Sequence, residues 1–134
     1  MNDYKNNREY SEELLSGGKL VVRANDWFIH YYFPGIDLRY NGTFVDVKGS
    51  LIDKYIEAWK NNFRKYLELK NAIPDNGNFE TKGEMDMSIR IGFAEGVCIR
   101  SFHLPIRDKE KLDLLISDYE YCKGKAQAIQ QAIF

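Results

Sequence analysis

Two histidines, His30 and His103, carry the side chains suited to general acid–base work near neutral pH in this chain. Strand parity sets them apart. His30 alternates with Ile29 and Tyr31, whereas His103 shares the face of Ile99, so the two imidazoles are expected on opposite sides of a sheet. Asp37 and Asp46 come out directly opposed if Asn41-Gly42 makes a two-residue hairpin turn. Two facing carboxylates could hold a divalent cation or raise one another's pKa. Arg39, two residues from Asp37 and diagonal to Asp46, offers a simpler arrangement in which the three form an exposed charge cluster. A small hydrolase or nuclease using His30, Asp37 and Asp46 is therefore one reading, but no metal or cofactor site is expected, and the chain is read as a non-enzyme.

A second constellation joins aromatic and guanidinium groups. Alternation places Phe28, His30, Tyr32, Asp37, Arg39, Phe44 and Asp46 on one outer sheet face, with Arg90, Arg100 and Phe102 on the same side of a later hairpin and Phe79 in a long loop. Tyr, Phe and Arg are enriched in the centres of protein interfaces. Stacking platforms for single-stranded nucleic acid use similar residues, but there is no K/R-G-F-G-F-V run. Nor is there a GxGxxG after a strand, a GxxxxGK[ST], a GxSxG or an HExxH.

These residues need elements to position them. Ser50 to Lys70 has the most regular amphipathic pattern, with Leu51, Ile52, Tyr55, Ile56, Trp59, Phe63, Tyr66 and Leu67 at helical spacing and Ser50 as N-cap. A second long helix begins after Asp108, an N-cap, and carries Leu112, Leu115, Ile116, Tyr119, Cys122, Ala126, Ile129 and Ile133, with a kink or early end at Gly124. A short helix is predicted over Tyr4–Ser16, ended by Gly17-Gly18. Leu20–Arg23, Trp27–Phe33, Ile36–Tyr40 and Thr43–Val47 read as a four-strand meander turning at Asn25-Asp26, Pro34-Gly35 and Asn41-Gly42. Met85–Phe93 alternates cleanly. A three-residue turn at Ala94-Glu95-Gly96 returns it as a strand over Val97–Leu104, pairing Ile91 with Ile99, Phe93 with Val97 and Arg90 with Arg100. Asn71–Gly83 reads as a loop.

The expected fold is α+β in two layers: a mainly antiparallel sheet of about six strands, two long helices on one face, and a short N-terminal helix. The 134 residues suit one domain over 1–134. Nineteen Lys and Arg against twenty Asp and Glu create no overall field that draws the protein to nucleic acid or an anionic membrane. The N-terminus lacks an apolar signal run, and the two cysteines, Cys98 and Cys122, form no metal-ligand spacing, which together suggest a reduced, cytoplasmic protein.

A protein-binding module acting by occlusion accounts best for this set, its most specific form being an immunity or antitoxin protein that neutralises a toxin encoded beside it. The alternatives are a single-stranded nucleic-acid-binding regulator and the small hydrolase; nucleic acid and membrane partners are disfavoured, and a homodimer through the aromatic face competes with all three.

Overall fold

The computed structural model describes residues 8–33, 43–99 and 103–134. The fold class is α+β, with two antiparallel four-stranded sheets and two long helices. The chain divides into two compact units, one formed by residues 1–52 and 117–134, the other by residues 53–116.

The first unit is built on β1 (Tyr10–Glu13), β2 (Lys19–Val22), β3 (Trp27–Phe33) and β4 (Thr43–Lys48), in that spatial order. Tyr10 to Glu13 is a strand here, so the N-terminal helix is corrected. Three apolar residues are too few to anchor a helix face, while Gly17 and Gly18, both at positive φ, close a hairpin in which the Leu14 N–H donates to the Gly18 carbonyl. Gly18 is also required sterically, because a Cβ there would lie 2.6 Å from the Tyr31 ring.

β3 pairs directly with β4, Tyr31 opposite Val45 and His30 opposite Asp46. β3 is thus flanked by β2 and β4, in place of the meander in which another strand came between β3 and β4; the strand predicted over Ile36–Tyr40, with its pairing of Leu38 to Tyr31, lies outside the described residues. The Pro34-Gly35 and Asn41-Gly42 turns lie outside the described residues. Face parity survives the change, because alternation along each strand is independent of which neighbour it meets. Leu20, Val22, Ile29, Tyr31, Val45 and Val47 are buried on one side. The helix that closes this unit is the last in the chain, supplying Tyr119, Cys122, Ala126 and Ile129. The Tyr31 and Tyr119 hydroxyls meet at 2.9 Å in the interior, and the Asp118 carboxylate accepts from the Ser16 N–H and hydroxyl, tying down the β1–β2 turn.

The second unit holds α1 (Ile52–Ala72) from Asp53 onward, β5 (Phe79–Lys82), β6 (Met87–Ile91), β7 (Gly96–Ile99), β8 (His103–Ile106) and residues 109–116 of α2 (Lys109–Ile133). Both long helices match the sequence pattern. Ser50 sits inside a 3₁₀ turn over Gly49–Leu51 that leads into α1 and is not at its N-cap, whereas Asp108 does cap α2, its carboxylate accepting from the Lys111 N–H at 3.0 Å. α2 runs through Gly124 without ending there. Leu67 is exposed, and the buried stripe of α1 instead includes Asn62.

Asn62 decides the start of β6. Its amide nitrogen donates to the Glu84 carbonyl and its oxygen accepts from the Glu84 N–H, holding a turn in which Met85 and Asp86 have positive φ. The alternating strand therefore begins at Met87, and Asn71–Gly83, read as loop, contains β5. At its other end the strand stops at Ile91. The register is Met87 with Ile99, Ile89 with Val97 and Arg90 with Gly96, so each residue meets a partner four positions from the one predicted. Glu95 causes the shift: its carboxylate accepts from the Gly92 N–H, from the Tyr66 hydroxyl and from the Lys70 ammonium, so residues 92–95 form the turn. The single strand expected over Val97–Leu104 is two paired strands, with Ile99 opposite His103.

Among the described residues there are eight strands in two sheets, in place of the single sheet of about six expected. Each sheet has one long helix among its unit's elements. The helix that follows the first meander belongs to the second unit, and the helix that follows the second meander closes the first.

Candidate functional site

The outer face of the first sheet is assembled from four strands. His30 of β3 is flanked by Lys19 of β2 and Asp46 of β4, and Glu13 of β1 is opposite Lys19, so one row across the sheet reads Glu13, Lys19, His30, Asp46. One step along the strands on the same side, Phe28 faces Lys48; one step the other way, Tyr32 faces Phe44. Cross-strand partners share a face, which is why alternating sequences on four strands converge into one patch.

His30 Nδ1 lies 2.6 Å from Asp46 Oδ1. A carboxylate only accepts, so in this contact Nδ1 is the donor and the ring is oriented with Nε2 pointing away from Asp46. The Phe44 ring is 5.6 Å from the His30 ring and that of Phe28 is 6.5 Å away, near edge-on. Arg23 covers the far side of this group, its guanidinium 5.0 Å from the Phe28 centroid while its Nε donates to Glu9. Tyr32 and Phe44 are 62% and 58% exposed, a large apolar area to leave in water.

Two recesses lie to either side of the His30–Asp46 pair. One of about 520 Å³ is lined by Arg23, Asp26, Trp27, Phe28, Asp46, Lys48 and Gln130, among others. Its floor depends on Gly49, where a Cβ would stand 2.2 Å from the Trp27 ring. Gln130 of α2 closes its end by donating to the carbonyls of Arg23 and Asp26. The other recess, about 410 Å³, is lined by Glu13, Gly18, Lys19, His30 and Tyr32. Among the described residues, neither Lys19 nor Lys48 forms an ion pair, whereas Arg23 is taken by Glu9 and Asp46 by His30.

Of the residues predicted from sequence, Phe28, His30, Tyr32, Phe44 and Asp46 are brought together here. Asp37, Arg39, Arg100 and Phe102 lie outside the described residues. Phe79 and Arg90 are in the second unit: Phe79 is 44% exposed on β5, and Arg90 is buried with its guanidinium donating to Glu80 at 3.1 Å. Arg90 is thus committed within its own sheet instead of being presented with Phe28 and Phe44. His103 is in β8 and His30 in β3, in different sheets. Lys19 and Lys48 were not singled out from sequence. Each stands at a strand end beside aliphatic residues, and only the pairing of β2 and β4 with β3 reveals that they share the face of His30.

Burial raises both thiol pKa values, that of Cys122 to about 12 with the Asp118 charge adding to it, which makes these free cysteines poor nucleophiles. Among the described residues there is no group of three or more His, Cys, Asp or Glu side chains placed to hold a metal ion, and no helix long and apolar enough to cross a membrane. Comparison with protein-family models, with curated proteins and with solved structures finds no match.

Proposed function

We propose that the protein is a binding module for another protein and acts by occlusion, docking through the outer face of its first sheet; its most specific form is an immunity or antitoxin protein that blocks a toxin encoded beside it. The observation that supports this is the exposed aromatic group of Tyr32 and Phe44, set beside the ordered His30–Asp46 pair and bounded by two recesses. Interface centres combine such aromatic anchors with pockets for the partner's side chains. Co-expression with the neighbouring gene product, followed by a binding measurement on the purified pair, tests it. Tyr32→Ala with Phe44→Ala should weaken binding at least about tenfold, equivalent to roughly 1.4 kcal/mol. Full affinity and full neutralisation in that double variant would remove this face from the function.

A hydrolase is favoured by one observation, the contact between His30 Nδ1 and Asp46, because a carboxylate that orients an imidazole prepares Nε2 as a general base. Unchanged biological activity after His30→Ala excludes it. The nucleic-acid reading loses support from Arg90, which is buried against Glu80.

A further inference from the structure

We propose that the recess lined by Glu13, Lys19, His30 and Tyr32 is a catalytic site for single-stranded RNA, with Glu13 as base and His30 as acid on either side of a phosphodiester held by Lys19. Such an activity goes beyond docking and does not require it, although a protein seated on Tyr32 and Phe44 covers the same recess.

Strand register sets the order of the three groups. Glu13 is opposite Lys19 and Lys19 is opposite His30, so the ammonium stands between the carboxylate and the imidazole in one row. At about 4.8 Å between strands, the Cα atoms of Glu13 and His30 are roughly 10 Å apart. Two hydrogen bonds of about 2.8 Å and the width of one phosphodiester fill that span. In-line displacement at phosphorus needs this order: a base at the attacking oxygen, an acid at the leaving oxygen and a cation on the oxygens between them. Neither Glu13 nor Lys19 is taken up in an ion pair among the described residues. His30 is held from the other side, its Nδ1 donating to Asp46 at 2.6 Å while Nε2 points away from that carboxylate. Asp46 lines the other recess, which makes it a positioning residue. The charged groups around His30 are thus Lys19 from β2, Glu13 from β1 and Asp46 from β4, with Phe28, Tyr32 and Phe44 as its apolar neighbours.

The lining of the recess selects the substrate. Among the described residues it has no serine, threonine or cysteine, so the nucleophile must arrive with the substrate. A ribose 2′-hydroxyl beside its own phosphodiester is such a nucleophile, and DNA lacks it. Tyr32 and Phe44, cross-strand partners two residues along from His30 and Asp46, are exposed and offer stacking surface to a base next to the scissile bond. Glu13 and Asp46, at the two ends of the row, repel a long polyanion. Recognition is therefore of a short unpaired segment and rests on stacking more than on charge.

The step balances without a co-reactant. The proton of the 2′-hydroxyl passes to the Glu13 carboxylate as the new oxygen–phosphorus bond forms. The bond from phosphorus to the 5′-oxygen breaks, and that oxygen takes the Nε2 proton of the His30 imidazolium, whose charge Asp46 offsets. Lys19 stabilises the charge gathering on the remaining phosphoryl oxygens. The products are a cyclic phosphodiester and a 5′-hydroxyl, nothing is oxidised or reduced, and proton exchange with water returns Glu13 and His30 to their starting forms.

The test incubates the intact protein, in EDTA at low salt, with a short fluorogenic RNA oligonucleotide carrying all four bases and with DNA of the same sequence. The RNA should be cut to fragments ending in a cyclic phosphate, identified by mass spectrometry, and the DNA should stay whole. Glu13→Gln and His30→Ala should each lower kcat at least about a hundredfold, and Lys19→Gln should lower kcat/KM at least about tenfold. His30→Asn repeats the measurement should the alanine variant impair folding, which circular dichroism reports. Asp46→Asn should lower kcat with KM unchanged, and Asp46→Glu should restore part of the loss, a split that a purely structural role does not produce. Tyr32→Ala with Phe44→Ala should raise KM and leave kcat in place. Uncut RNA, equal cutting of DNA, cutting that depends on an added metal ion, or cutting that persists in Glu13→Gln and His30→Ala purified in the same way would each overturn the assignment.

Discussion

The two sheets share strand number, sequential order and antiparallel pairing, yet their second faces differ. In the second sheet Ser88, Arg90 and Cys98, on the side away from Met87, Ile89 and Val97, are as buried as the core. In the first, the equivalent side carries Tyr32 and Phe44 in solvent. Side-chain size separates the two cases. Ser88, Gly96 and Cys98 are small and form cross-strand neighbours on a covered surface, while Phe28, His30, Tyr32 and Phe44 are large and project from theirs. A polar residue alternating with apolar ones therefore does not establish exposure: Arg90 is hidden and Phe44 is not.

Matched substitutions test that difference most severely. Cys98→Lys should cost the fold about 4 kcal/mol or more, since it buries a second cation beside the Arg90 guanidinium, while Phe44→Lys should cost less than about 1 kcal/mol. Urea denaturation of both variants measures the contrast; equal losses would mean the two faces are covered alike. Next in size, Asn62→Ala should destabilise the second unit by about 2–3 kcal/mol by stranding the Glu84 N–H and carbonyl, visible as early hydrogen exchange in β6 and unmatched by His30→Ala on the first sheet.

Glu95 provides a pH test confined to the second unit. Burial alone would raise its pKa, but the Lys70 ammonium, the Tyr66 hydroxyl and the Gly92 N–H outweigh this and bring it to about 2, against 4.5 when unperturbed. A depressed carboxylate stabilises the fold above its unfolded pKa and loses that contribution as the pH falls through the folded value. The stability of the wild type should thus decline between about pH 4.5 and 2 through this group, and Glu95→Gln should be less stable at pH 7 by about 1–3 kcal/mol with a flatter profile across that window. A parallel slope in the two proteins would show that Glu95 does not govern the turn. The smallest effect is a gain: Gly124→Ala, with open space around the added methyl, should stabilise the helix over the first sheet by about 0.5–1 kcal/mol in thermal unfolding.

Much of this was legible in the sequence. The apolar stripes of α1 and α2, the Asp108 cap and the sidedness of β3, β4 and β6 follow from spacing alone, because side-chain direction repeats with the element's own period. Five members of the candidate site, Phe28, His30, Tyr32, Phe44 and Asp46, were accessible by the same parity. What could not be read was pairing. Asp46 was matched with Asp37 because Asn41-Gly42 is a strong local turn signal, yet its partner in the structure is His30, sixteen residues away. Tyr10–Glu13 was given to a helix because Tyr10, Leu14 and Leu15 form a weak stripe, and only the hairpin partner in β2 distinguishes the alternatives.

The sequence by itself determined which side chains each helix and strand presents to each of its faces, a property of backbone geometry that needs no neighbour. Tertiary structure decided which strands meet, that the eight strands make two sheets, and that each meander is joined in its unit by the other's helix. Those choices depend on contacts between residues far apart in the chain: the Asn62 clamp on Glu84, the Glu95 turn, and the Asp118 hold on Ser16. The outer face of the first sheet joins both kinds of information, its residues set by alternation and its row of Glu13, Lys19, His30 and Asp46 made by four strands pairing in register.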